Sequence, residues 1–231
     1  MIDAVLFDKD GTLFDFRASW GGWARAYLTS IARDAAHAAA MGRAIGYDMA
    51  SGQFARDSVV IAATSAEIAA ALLPHLPGKT QGEISAHINA TAAGAAMSQA
   101  VPLKPLLAAL KARGLKVGLA TNDFEAAARA HLAAHDITAY FDFIAGYDSG
   151  HGAKPGPGMC LGFARAVGVD AARIAMVGDS THDLEAGRAA GMRTIAVLTG
   201  IAGAEELRAL SDVVLPDIGD IPGWLDQLSA A

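Results

Sequence analysis

The chain has 231 residues, 53% of them hydrophobic and 6% aromatic, and its 24 acidic and 18 basic side chains give a formal charge of −6. That length suits one substantial domain or a core with a modest insertion, and the alanine-rich aliphatic bulk excludes a disordered chain. Net negative charge without a run of basic residues offers no footing for nucleic acid.

A single cysteine, Cys160, excludes an internal disulfide and fits a reducing compartment. The start, Met1-Ile2-Asp3, runs straight into a strand-like segment with no basic region ahead of an apolar stretch, so no secretory signal is expected. The apolar stretches 59–73 and 90–100 are too short or too interrupted to span a bilayer. The expected setting is the cytoplasm, and oligomeric state is not legible.

In chain order, the first apolar run is Ala4-Val5-Leu6-Phe7, ending at Asp8. From about Phe14 to Ala100 the chain is alanine-rich, shows helical patterns over 20–39 and 59–73, and has no convincing strand. Pro102 and Pro105 mark the return to a strand-and-helix rhythm. Leu103, Leu106, Leu107 and Leu110 form a helical stripe stopped by Gly114. The run 116–120 ends at Thr121-Asn122-Asp123. Cys160, Phe163, Ala164 and Val167 repeat the stripe and stop at Gly168. The run 174–177 ends at Gly178-Asp179, and the helix-like 184–190 stops at Gly191. The runs 194–198 and 213–215 close the series. Near-continuous apolar runs alternating with helices predict an α/β fold with a doubly wound parallel sheet. Residues 1–14 and 100–231 form its core, and 15–99 a small all-helical cap domain inserted after the first strand. Such sheets bind ligands at the carboxyl ends of their strands, where these aspartates fall.

Asp8-Lys9-Asp10-Gly11-Thr12-Leu13 places two carboxylates at a turn on that edge; alone, an ordinary Asp-Gly turn explains it equally well. Asp179 closes another strand, and Asp183 follows at or near a helix start, where N-capping accounts for one of the two acids. Four carboxylates at one edge repel, each pair by about 4 kcal/mol at 4 Å and an effective dielectric of about 20, and so call for a cation or shifted pKa values. Oxygen ligands select a hard cation such as Mg²⁺. Lys154, in a Gly- and Pro-rich loop, offers a fixed positive charge, although alone it reads as a solvated loop lysine. Thr121 and Asn122 offer a hydroxyl and an amide to phosphate oxygens.

These elements, in this order, resemble the haloacid dehalogenase-like superfamily in its phosphatase branch, with the general look of its phosphoglycolate phosphatase-like members. Members of that family often carry a helical cap between the first and second motifs. The resemblance implies a phosphoric monoester hydrolase of the haloacid dehalogenase-like kind, a Mg²⁺-dependent phosphatase acting on a small phosphorylated metabolite, with 2-phosphoglycolate the first candidate. It implies Asp8 as nucleophile through an aspartyl-phosphate, Asp10 as general acid and base, and Thr121 and Lys154 as phosphoryl ligands beside Gly11 and Asn122. Metal ligands would be Asp8, Asp10 through its carbonyl, and Asp179, with Asp183 orienting the metal shell or Lys154. Where relatives commonly follow Lys-Pro with proline and an acidic residue, this chain has Lys154-Pro155-Gly156-Pro157-Gly158. A β-phosphoglucomutase-like sugar phosphomutase is the alternative, and a non-catalytic phosphate-binding module a further one. A dehalogenase has no need of Asp10 or of magnesium.

Several other residues are read as structural. His131 and His135 are expected on a solvated helix face, His182 and His151 in surface loops, and Trp20, Trp23 and Tyr27 in cap packing. Arg17, Arg25, Arg43 and Arg56 are candidates for a substrate carboxylate or phosphate, with Arg17 first because it follows the catalytic strand most closely.

Overall fold

Successive residues of β1 (Ala4–Phe7) face opposite sides of a sheet, and all four are fully buried, as a strand covered on both faces requires. The structure, a computed structural model, describes residues 1–230. After β1 the chain leaves the sheet for α1 (Phe16–Ile31), α2 (Ala35–Ala44), the short strands β2 (Tyr47–Asp48) and β3 (Gln53–Phe54), α3 (Ser65–Leu72) and α4 (Gln81–Ala92). It returns through α5 (Leu103–Ala112) to β4 (Lys116–Ala120), α6 (Glu125–Ala134), β5 (Phe143–Ala145) and α7 (Gly158–Val167). The last part holds β6 (Ile174–Gly178), α8 (Thr181–Ala189), β7 (Arg193–Val197), α9 (Ala204–Arg208), β8 (Val213–Leu215) and α10 (Ile221–Ala230).

The six-stranded sheet has the order β5-β4-β1-β6-β7-β8, and every pairing in it is parallel. Ala4 and Leu6 pack with α7 and α8 through Met159, Phe163 and Ala186. Val5 and Phe7 face the larger core, which takes in Leu107 of α5, Leu132 of α6 and Ile221 of α10. The β5 run, Phe143-Ile144-Ala145, escapes sequence reading because three residues give no periodicity to recognise.

The inserted segment differs from its expected outline in three places. The helix expected over 20–39 is two helices, because Asp34 caps α2 through its bond to the His37 N–H. The segment 59–73 begins as a single 3-10 turn before α3, which Thr64 and Glu67 start with a reciprocal capping box. The segment is not wholly helical, since Tyr47 and Asp48 pair antiparallel with Phe54 and Gln53. The two crossings between the segment and the sheet run side by side, with Asp15 N–H donating to Ser98 O at 2.8 Å and Ala100 N–H to Leu13 O at 3.0 Å. Among the described residues, no helix is long and apolar enough to cross a membrane.

Gly118 on β4 lets the Phe163 ring of α7 lie directly on the sheet: a Cβ there would stand 2.7 Å from Phe163 and 2.9 Å from Leu6. Overpacking of this kind costs about 1–3 kcal/mol. Gly118→Ala is therefore expected to lower the urea midpoint by about 2 kcal/mol of stability with an unchanged m-value, as measured by equilibrium unfolding.

Candidate active site

Register decides which side chains meet. Phe7 pairs with Leu119 on one side and Val177 on the other, so Asp8, Thr121 and Asp179 leave neighbouring strands at one level of the carboxyl edge. Between β1 and α1 the backbone turns back on itself: the N–H groups of Leu13 and Phe14 both donate to Lys9 O, and Gly11 N–H donates to Phe14 O. Gly11 has φ +85°, and a Cβ there would collide with the Asp179 carboxylate. The turn therefore needs glycine for its conformation and for room.

Lys154 occupies the centre. Its ammonium donates to Asp8 Oδ1 at 2.5 Å, Asp183 Oδ1 at 2.5 Å and Ala120 O at 2.8 Å, so all three of its hydrogens have acceptors. It is buried, not the solvated loop lysine that its local sequence predicts. Asn122 holds the Lys154 backbone, accepting from its N–H and donating to its carbonyl, both at 2.9 Å. The second amide hydrogen of Asn122 goes to Ala62 O. That corrects its expected role, because no side-chain donor of Asn122 is left for a substrate. Thr121 Oγ1 accepts from the Asp123 N–H, which leaves its own hydrogen free to donate.

Asp183 is the third helical residue of α8, not its cap. Ser180 is the cap, and the two form a reciprocal capping box in which Asp183 Oδ2 accepts from Ser180 N–H and Oγ–H. Both Asp183 oxygens are thus engaged. Asp179 instead takes a long bond from Thr12 Oγ1 at 3.3 Å.

One oxygen each from Asp8, Asp179 and Asp183 lie within 4.8 Å of one another, and all three residues are buried. At that distance like charges repel by about 3–4 kcal/mol at an effective dielectric of about 20. Burial is the largest influence on Asp8. Together with Asp183 and Asp10 it outweighs Lys154 and pushes the carboxyl up to about 7. Burial, then Asp183 and Asp8, raise Asp179 well above the ordinary carboxylate range. Burial alone would lower Lys154, but Asp183 and Asp8 reverse this and hold its ammonium above ordinary lysine. Three carboxylates around one ammonium leave two negative charges uncompensated when all are ionised. A divalent hard cation fits that oxygen set and that deficit.

Asp10 is held by a second buried lysine that sequence reading passed over. Lys9 lies 2.9 Å from Asp10 Oδ2 and 3.0 Å from Asp123 Oδ2, and bonds His131 Nδ1 at 3.1 Å. Because an ammonium only donates, His131 Nδ1 accepts and its Nε2–H donates to Ala92 O at 2.9 Å. Burial and the Lys9 charge keep the His131 pKa below its ordinary value. His131 is therefore an internal strut from Lys9 to the end of α4, not part of a solvated face, whereas His135 packs on Phe14 with the rings tilted and their centroids 5.1 Å apart. Trp20 also departs from simple packing, since its Nε1–H donates to Asp10 Oδ1 at 2.8 Å.

The pocket above this cluster opens to solvent and has Asp8, Asp10, Thr121, Lys154, Asp179 and Asp183 on its floor. His182, in the first turn of α8 and not in a surface loop, also lines it, as do Trp20 and Trp23. His151 packs against Phe143 instead. Arg17 does not line the pocket; it is exposed and bonds Gln53 at 3.1 Å. Closeness in sequence to Asp8 misled here, because the first turn of α1 points Arg17 outward. Arg43 lines a separate hollow on the inserted segment, and neither Arg25 nor Arg56 reaches the site. The Gly156–Gly158 departure leaves α7 without a side-chain cap.

Comparison with known proteins agrees with this geometry. The chain is 41% identical over 111 residues to the probable phosphatase IndB of Dickeya dadantii (strain 3937), covering 48% of each. It is 36% identical over 124 residues to the phosphoglycolate phosphatase of Neisseria meningitidis serogroup A / serotype 4A (strain DSM 15465 / Z2491), covering 53% of this chain and 52% of that protein. The chain thus spans about half the length of the curated relatives it matches. Its fold is like that of CbbY from Rhodobacter sphaeroides in complex with phosphate, with a TM-score of 0.73, 22% identity and 96% of each chain covered. A family model described as haloacid dehalogenase-like hydrolase matches residues 2–191, and the chain belongs to that family.

Proposed function

We propose that this protein is a Mg²⁺-dependent phosphatase that hydrolyses a small phosphate monoester through an aspartyl-phosphate on Asp8, with residues 15–99 acting as a cap over the pocket. The observation that carries this reading is the Lys154 ammonium held 2.5 Å from both Asp8 and Asp183, with Asp179 beside them at the sheet edge. The relatives named as phosphatases support it, and their names make 2-phosphoglycolate the reference substrate.

Lys154 engages Asp8 Oδ1, leaving Oδ2 to attack phosphorus. A bond forms between that oxygen and phosphorus as the ester bond to the leaving alcohol breaks, splitting one difficult hydrolysis into two displacements. Asp10 gives its proton to the departing oxygen and later takes one from the water that attacks the aspartyl-phosphate, releasing phosphate and restoring the Asp8 carboxylate. Lys9 and Trp20 fix the Asp10 carboxyl for this role. Thr121 Oγ–H donates to the transferring group, and the Lys154 ammonium, its three hydrogens already taken, offsets the negative charge beside it. Asp8 and Asp179, which have the least engaged oxygens, would hold Mg²⁺ with the Asp10 carbonyl, while Asp183 anchors Lys154. When bound, the ion screens Asp8 from the phosphoryl anion and draws charge from its oxygens. A sugar phosphomutase would share this machinery, and release of inorganic phosphate instead of an isomerised sugar phosphate separates the two.

Asp8→Asn should cut Mg²⁺-dependent phosphate release by at least about 10³-fold. Because the site favours the neutral form of Asp8, the metal-free variant should melt no lower than the wild type; ordinary turnover would remove Asp8 from the mechanism.

Burial lifts the Asp8 carboxyl from its ordinary 3.8 to about 7. The folded metal-free protein keeps a proton on Asp8 that the unfolded chain releases above about 4, so this group's contribution to stability is present at low pH. It is lost as pH rises to about 7. Thermal melts across pH 4–8 should show Mg²⁺ raising the melting temperature most at the upper end, where Asp8 is ionised; equal shifts at both ends would contradict Asp8 as a ligand.

A further inference from the structure

The pocket has two chemically opposed walls. Its floor is acidic, with Asp10 and Asp123 beside the phosphoryl machinery. The facing wall, supplied by the inserted segment, is apolar: Phe16, Trp20, Trp23, Ile61, Ile68 and Ile88. No lysine or arginine of that segment lines the pocket, and the Lys154 ammonium is already engaged by two carboxylates and a carbonyl. Trp23 stacks on Tyr27 at 5.2 Å and meets Trp20 edge to face at 5.2 Å, so the wall presents a fixed aromatic surface. The indole Nε1–H of Trp23 is buried without an acceptor.

Building on the phosphatase reading above, we propose that the substrate is a phosphate monoester with an uncharged, apolar leaving group that carries an aromatic ring, not a phosphorylated acid. A ring laid against Trp20 and Trp23 gains from burial and from edge or offset stacking. A leaving group with its own carboxylate would lose its hydration against apolar side chains, with no free lysine or arginine to pair with, because Lys9 is held by Asp10 and Asp123 and Lys154 by Asp8 and Asp183. The same wall offers few partners for the hydroxyls of a sugar.

The test is phosphate release by the wild-type enzyme with Mg²⁺ from three unactivated esters: benzyl phosphate, ethyl phosphate and 2-phosphoglycolate. Benzyl phosphate should give the highest kcat/KM, at least about tenfold above 2-phosphoglycolate. Ile68→Arg, which places a cation on the apolar wall, should reduce that ratio by about tenfold or more. Val60→Arg, on the partly exposed turn at the pocket rim, makes the same test if the first variant does not fold by circular dichroism. Equal or greater kcat/KM on 2-phosphoglycolate, or an unmoved ratio in a folded arginine variant, overturns this inference while leaving the phosphatase reading in place. Release from none of the three, nor from 4-nitrophenyl phosphate, overturns both.

Discussion

A single ammonium group organises the carboxyl edge of the sheet in this protein. Lys154 satisfies its three hydrogens on Asp8, Asp183 and the Ala120 carbonyl, so it ties a loop to the ends of β1 and β4 and to the first turn of α8 at once. Removing one partner of a buried ion pair typically costs about 3–5 kcal/mol, because the other charge is left without solvent or counter-ion. The surrounding structure accordingly fixes the lysine from behind. Asn122 clamps its backbone on both sides, and Ser180 fixes Asp183 through the capping box that starts α8. Even so, the charge is not balanced. Asp8 and Asp179 are held above the ordinary carboxylate range by burial and mutual repulsion, a deficit that a divalent cation would relieve.

A second lysine does for the inserted segment what Lys154 does for the core. Lys9 is fully buried and reaches Asp10, Asp123 and His131 while lying 5.1 Å from the centroid of the Trp20 ring. Opposing charges hold it protonated despite burial. His131 carries the connection to the end of α4, and Trp20 carries it into α1. The inserted segment is thus joined to the β1–α1 turn by the Trp20 hydrogen bond to Asp10 and, through His131, by the Ala92 carbonyl, so its position and the orientation of the Asp10 carboxyl are coupled. The two crossings, paired between Leu13–Asp15 and Ser98–Ala100, are the natural place for any movement of one part against the other.

The wall that the insertion brings to the pocket is nearly all apolar, while the floor is polar and carries five aspartates with Lys154 and His182 among them. The two faces of the pocket are therefore carried by different parts of the chain, one built from strand ends and the other from helix faces.

The amino-acid sequence by itself determined the sheet and most of the floor. Asp8 and Asp179 follow unbroken apolar runs, and such runs form strands buried on both faces, whose ends share an edge. The stops at Gly114, Gly168 and Gly191 were legible because each takes a positive φ that other residues resist. Tertiary structure decided everything that depends on which helix face meets which strand. Lys9 reads as a spacer between two acids until burial leaves it only Asp10, Asp123 and His131 to bond. Trp20 and His131 sit at ordinary helical spacing, and only packing brings them to Asp10 and Lys9. Arg17 is close to Asp8 in the chain yet points away, and Asn122 is drawn from the substrate to the lysine backbone. Local spacing encodes the period of an element, whereas a buried charge takes its partners from distant segments that only the folded chain brings within reach.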